Sequence, residues 1–204
     1  MKIGILGAGN VGSSLAALFA EAGHEVVAGV RDVATSTQPE SFSLVTAKEA
    51  AEFGELVVIA VPFVACSTLL PELATSLVGK VVVDATNPLH DDWSPLPVGE
   101  ENSAGETVAR LLPQSKVVKA FNTIFADIMN RSGLDRDGHA VTAFVAGDHD
   151  DANAAVANLA EQAGFAPKVA GPLRMARYLE SMAHLNIYIA VGLEQGTDAA
   201  FLYR

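Results

Sequence analysis

Short apolar runs alternate along this chain with segments in which apolar residues recur at helical spacing. Lys2–Leu6 is apolar and ends in glycines, which predicts a buried strand. In Val11–Ala22, Leu15, Leu18, Phe19 and Ala22 fall at helical spacing, and Gly23 marks the stop. Glu25–Val30 reads as a second strand, residues 32–43 as polar turns, Ala47–Phe53 as a short helix, and Leu56–Val61 as a strand closed by Pro62. Phe63–Leu77 has helical spacing, with a break expected at Pro71. Lys80–Ala85 is a strand running into Asn87-Pro88, and residues 88–103, with Pro88, Pro95 and Pro97, form a loop. Glu106–Leu112 reads as a helix and Lys116–Phe121 as the next strand. After Gly133 come a strand over Ala140–Ala146, a helix over Asp150–Gly164, a short strand over Ala166–Val169 and a long helix over Leu173–Val191. Asp150 is the expected N-cap of its helix and Gly164 its stop. The alternation predicts an α/β fold: a doubly wound parallel sheet with a small C-terminal α/β-helical extension.

The 204 residues suffice for one large domain and a substantial core without staples. The formal net charge of -11 lacks the basic footprint that nucleic acid requires, and an acidic surface is repelled by anionic membranes. No nucleic-acid or membrane partner is expected. Any anionic ligand must then be held by local basic groups and backbone amides. Cys66 is the one cysteine, so no intrachain disulfide can form, and its apolar setting reads as core packing. No segment reaches the roughly 18–20 apolar residues of a membrane helix, and Gly4, Gly7 and Gly9 interrupt the apolar opening, so a cytoplasmic location is expected.

Gly7-Ala8-Gly9-Asn10-Val11-Gly12 is G-x-G-x-x-G between a predicted strand and a predicted helix, with a second strand at the right distance. In that setting the pattern marks a Rossmann-type dinucleotide site. Gly7 permits the tight turn, Gly9 lets a pyrophosphate approach the backbone, and Gly12 lets helix and strand pack closely. The amides at the helix start, with Asn10 and Val11, then face the phosphates. At the end of the second strand an NAD site usually carries an acid. Here Gly29 stands in that place, followed by Val30, Arg31 and Asp32. Arg31 can reach a 2′-phosphate through charge-assisted bonds, which favours NADP, although Asp32 places an acid close by. Val61, Pro62, Asn87 and Pro88 fall at strand C-terminal ends, where ligands of open α/β sheets bind. Asp84 reads equally as a border of that site and as a structural cap.

The opening, with Gly23-His24-Glu25-Val26-Val27 and Gly29-Val30-Arg31, resembles the F420H2:NADP oxidoreductase family, as do Ala170-Gly171-Pro172-Leu173 and Arg177-Tyr178-Leu179-Glu180-Ser181. The stretch Val117-Val118-Lys119-Ala120-Phe121-Asn122-Thr123-Ile124 is also similar to the cytoplasmic reductase domain of the STEAP ferric reductases. The resemblance implies hydride transfer between NADP and a deazaflavin or flavin. The second ring would lie near Asn122, Thr123 and Ile124 and the segment Gly171, Pro172 and Leu173, with Asn122 and Thr123 as positioning residues. The F420 enzymes carry histidine at the position of Asn122 and the ferric reductases asparagine, so the second cofactor stays open between F420, FMN and FAD. Residues 1–135 would form the NADP-binding domain, and residues 136–204 would pack on it and complete the second-cofactor and dimer surface.

No Ser-His-Asp order, H-E-x-x-H motif or cysteine cluster suggests hydrolysis or a metal. His24 reads as structural, His90, His139 and His149 as solvated, and His184 as a core or interface residue. Transfer between two bound rings needs alignment more than an acid–base pair. Two alternatives stay open: a non-catalytic NADP-binding sensor, and a dehydrogenase of a small imine or hydroxy acid. The last helix carries Met175, Leu179, Met182, Leu185 and Ile189 near one face, with Ile187 and Val191 elsewhere, which predicts a homodimer.

Overall fold

The computed structural model describes residues 1–99 and 101–204; residue 100, inside the predicted 88–103 loop, lies outside the described residues. The first half alternates strand and helix: β1 (Lys2–Leu6), α1 (Asn10–Glu21), β2 (Glu25–Val30), β3 (Ser43–Thr46), α2 (Ala47–Phe53), β4 (Leu56–Ile59), α3 (Phe63–Leu77), β5 (Val81–Asp84), α4 (Ala104–Leu111) and β6 (Lys116–Ala120). A 3₁₀ turn (Ala126–Ile128), α5 (Arg131–Leu134) and a hairpin of β7 (Asp135–Arg136) and β8 (His139–Ala140) follow. The chain then forms β9 (Thr142–Gly147), α6 (Asp150–Gln162), β10 (Ala166–Gly171), a 3₁₀ turn (Leu173–Met175), α7 (Ala176–Ile187) and a π-helical turn (Tyr188–Gly192).

Eight strands form one sheet in the order β10-β9-β6-β5-β4-β1-β2-β3. The six strands from β3 to β6 are mutually parallel. All four residues of the central strand β4 are buried, as expected of a strand covered on both faces. β9 joins β6 antiparallel, and β10 lies parallel to β9. The expected doubly wound α/β sheet is thus present, with its last two strands reversed. The chain order reverses at β1, flanked by β2 and β4, and this switch point opens the crevice where such sheets bind ligands.

Several expectations need correction. β3 falls at the end of the stretch read as polar turns; it is four residues long with only Leu44 buried, too short for a clear alternation. Its outer edge is occupied by Gln38, whose amide accepts from the Leu44 N–H at 2.8 Å and donates to the Leu44 carbonyl at 3.3 Å. Pro71 does not break α3. The hydrogen bond it removes would have ended on Ser67, and both residues are exposed, so water can serve that carbonyl while Cys66, Leu70, Leu73 and Leu77 keep one buried face. Asp150 lies inside the first turn of α6 rather than capping it; His149 holds the N-cap position without a side-chain bond. Gly164 does stop that helix, at φ +99, with its N–H on Glu161 and that of Phe165 on Ala160. The predicted helix Leu173–Val191 changes winding twice along its path. Its expected single apolar face is divided: Leu179 is buried within the subunit, whereas Leu185 is exposed beside Tyr178 and Tyr188.

Candidate functional site

The β1–α1 loop is built to leave its amides open. Gly7 adopts φ +105 and donates to the Gly29 carbonyl at 3.0 Å, which ties the turn to β2. A Cβ on Gly12 would stand 2.0 Å from the Gly7 carbonyl oxygen, so only glycine fits there. A Cβ on Gly9 would meet nothing within 4 Å. Gly9 is the N-cap of α1 and supplies no side-chain cap, and the first turn holds no acidic residue. The Ser13 N–H takes the Gly9 carbonyl at 2.8 Å, so the amides of Asn10, Val11 and Gly12 precede the first bond of the helix. Gly9 and Asn10 are exposed and Val11 is half-buried. Open donors at the positive end of a 12-residue helix form a ready anion site.

Arg31 emerges exposed from the end of β2. Asp32 does not compete for the same space: its Oδ1 accepts from the Ala34 N–H at 3.0 Å and the Thr35 N–H at 3.3 Å, so the acid caps its own turn. Val61 and Pro62 follow β4 on the same edge, and Val61 lies beside the Gly7 turn. Next along that edge the β5 and β6 ends are joined by two amides. Asn87 Nδ2 donates to the Asn122 carbonyl at 2.7 Å, and Asn122 Nδ2 donates to Asn87 Oδ1 at 2.9 Å. Phe121 reaches this point with φ +64, its ring packed between Phe19 and Phe165. Pro88, Thr123 and Ile124 are buried.

Gly171 stands one residue short of the β6 end, and from it the chain runs back from the edge through Pro172 and Leu173. Because β9 is antiparallel, β10 also runs backwards, and its C-terminal end points away from the ends of β5 and β6. Gly171 is level with Ala146 and, one strand further, Lys119. The Leu173 N–H donates to Asp148 Oδ1 at 2.9 Å, and the Leu173 side chain is buried with its Cδ1 toward Gly105 at the start of α4. His184, on α7, is half-buried. Burial draws the His184 pKa below the ordinary histidine value, opposed by the Pro88 carbonyl, and its Nε2 is buried with no partner among the described residues.

Four similarities to known proteins bear on this site. The family model described as "NADP oxidoreductase coenzyme F420-dependent" matches residues 2–88. The F420-dependent NADP reductase of Methanothermobacter thermautotrophicus is 32% identical over 218 residues, covering 94% of this chain and 90% of its own. The chain belongs to the F420-dependent NADP reductase family. It is accordingly an NADP-dependent oxidoreductase of Rossmann type. A crystal structure from Arthrobacter sp. FB24, assigned to the same family, superposes with a TM-score of 0.89 at 31% identity, covering 100% of this chain and 99% of that one. The metalloreductase STEAP3 of Rattus norvegicus is 34% identical over 182 residues, covering 89% of this chain, which spans 36% of that longer protein.

This member of the F420-dependent NADP reductase family also contains a buried ionic cluster behind the edge. Lys119 on β6 has 0% side-chain exposure; its ammonium donates to Asp84 Oδ2 at 2.9 Å and the Thr86 carbonyl at 2.6 Å, and forms an ion pair with Glu180 Oε1 at 2.8 Å. Asp84 Oδ1 accepts from the Thr86 N–H at 2.9 Å. Glu180, on α7, accepts from the Ala104 and Gly105 amides at the start of α4. Burial alone would discharge the ammonium, but Asp84 and Glu180 outweigh it and hold the Lys119 pKa above the ordinary lysine value. Asp84 is therefore a member of an internal network rather than a cofactor border or a simple cap. A lysine inside the Val117–Ala120 apolar run was the one visible sign; its partners lie 35 and 61 positions away in the chain.

Proposed function

We propose that this chain transfers a hydride between NADPH and a flavin-like coenzyme, F420, FMN or FAD. The observation that carries the reading is the open donor set at Gly9–Gly12, on the same sheet edge as the Asn87–Asn122 pair. The residues fit a dinucleotide: Gly9 leaves space over the backbone, the α1 amides offer hydrogen bonds to a pyrophosphate, and Arg31 is free to meet a 2′-phosphate. When bound, the nicotinamide and the deazaflavin or flavin ring would supply the hydride chemistry. Val61, Pro62, Asn87 and Pro88 would border the nicotinamide, while Asn122, Thr123 and Ile124 shape the floor beneath the second ring. The relatives' names favour F420 as that second coenzyme.

In this reading, residues 1–135 hold NADP and residues 136–204 complete the acceptor side through α7. The exposed stripe Tyr178, Leu185, Tyr188 and Val191 then serves a homodimer, for which a single monomeric mass by light scattering would be the contrary result. The direct test mixes the protein with NADPH and, separately, with F420, FMN or FAD, and follows nicotinamide absorbance. Oxidation by at least one acceptor is expected. If none of the three oxidises NADPH at any pH, a non-catalytic NADP-binding sensor replaces the oxidoreductase.

A further inference from the structure

We propose that Lys119 is a positioning residue for the hydride-transfer edge: its ammonium pins the peptide that carries Asn87 and, through Glu180, sets that edge against α7. The inference rests on the reading that the nicotinamide lies at Asn87 and Asn122. Both sides of Thr86 are held by the cluster, its N–H by Asp84 at 2.9 Å and its carbonyl by Lys119 at 2.6 Å. The next residue, Asn87, makes the paired bonds to Asn122, and Asn122 lies three positions beyond Lys119 in the chain. Both halves of the asparagine pair thus hang from one cluster. Glu180 ties the same cluster to α7 through its ion pair with the Lys119 ammonium at 2.8 Å.

Energetics argue that the cluster is not there for stability alone. Desolvating one cation and two carboxylates consumes most of what their attraction returns, and well-packed apolar residues often serve a core as well. Apolar side chains cannot hold the Thr86 carbonyl or the two α4 amides. Two hydrogen bonds and a second ion pair hold the ammonium, so the geometry of Thr86 is over-determined.

Trp93 gives a readout that needs no coenzyme. It is the only tryptophan, and it lies in the loop that follows Pro88 and is closed by the Leu89–Pro95 bridge and the Leu96 N–H bond to the Pro88 carbonyl. Two variants are compared with wild type. Lys119→Met removes the cation, and Asp84→Asn/Lys119→Met removes one charge of each sign, leaving Glu180 on the α4 amides. Measured are Trp93 fluorescence anisotropy decay, affinity for NADPH and for 2′,5′-ADP, and kcat with whichever acceptor wild type uses. Expected is a larger fast component in the Trp93 decay, unchanged 2′,5′-ADP and NADPH affinity, and kcat lower by about 10- to 100-fold. Unchanged Trp93 motion and unchanged kcat, whatever happens to Tm, would overturn the proposal. Equal loss of 2′,5′-ADP binding and turnover, or failure of both variants to fold, would reduce the cluster to a folding element and overturn it too. Asn122→Leu separates the two levels. If that change leaves transfer untouched, the assignment of the nicotinamide edge has failed; if it slows transfer and the Lys119 variants do not, only this inference has.

Discussion

Asn87 and Asn122 grip one another across the ends of two adjacent parallel strands, side chain to side chain at 2.9 Å and side chain to backbone at 2.7 Å. With its amide committed to Asn87, Asn122 acts on a coenzyme by fixing the edge on which it rests. Asn122→Leu strands the Asn87 carbonyl oxygen and lets the loop move. Hydride transfer should slow by about 10- to 100-fold with NADPH affinity largely intact. Thr123→Val should follow the same pattern. Single-turnover kinetics beside equilibrium titration will show it; equal damage to binding and transfer would instead place Asn122 in the NADPH site itself.

Gly9 and Gly12 should part company on mutation. Space is open at Gly9, so Gly9→Val is expected to fold with a wild-type melting temperature while losing nucleotide binding. At Gly12 a Cβ would press on the Gly7 carbonyl from 2.0 Å, so Gly12→Ala should lower the melting temperature before any ligand is added. Normal NADPH affinity in Gly9→Val would remove the phosphate loop from its assigned role.

Arg31 should discriminate between coenzymes. A hydrogen bond to a charged group contributes about 1.5–3 kcal/mol, so Arg31→Ala should weaken NADPH by roughly 10- to 150-fold and barely change NADH. The Asp32 carboxylate is engaged with its own turn, so Asp32→Asn, which keeps an oxygen for that turn, should change the NADPH-to-NADH ratio little. Parallel losses for both nucleotides in Arg31→Ala would count against a 2′-phosphate contact.

Cys66 should be chemically silent in the native protein. Burial, reinforced by the nearby Asp84 carboxylate, pushes its thiol up to about 12, so little thiolate forms near neutral pH. Labelling by a thiol reagent should therefore occur at the rate of unfolding and speed up with denaturant. Rapid labelling without denaturant would show that α3 opens locally.

The Arg177–Glu106 pair should give a pH-dependent share of stability. Arg177 donates to both Glu106 oxygens, at 2.8 and 2.9 Å, and that hydrogen bonding first of all holds the Glu106 pKa below its ordinary value. A carboxylate depressed in the native state stabilises it above the unfolded pKa, and the gain is lost as pH falls through the lower native value. Arg177→Ala should melt below wild type at neutral pH, and the gap should narrow below about pH 4. A gap that persists unchanged at lower pH would mean that the loss comes from packing.

The amino-acid sequence by itself determined the parts whose physics is local. β1, the Gly7–Gly12 turn and the Gly23 and Gly164 stops follow from short-range backbone preference and apolar spacing, so they were legible without coordinates. Short or weakly alternating pieces were not, as at β3, and a proline on an exposed helix face was overruled by the buried face opposite it. Only the tertiary structure decided what depends on partners remote in the chain. The antiparallel joining of β9 to β6 turned Gly171–Leu173 away from the edge where Asn122 sits. The same sheet order set Asp84 beside Lys119, and α7 crossed over to bring Glu180 to both. A buried charge is tolerated only where opposite charge and hydrogen bonds surround it, and which residues would supply them is a property of strand order that no local pattern encodes.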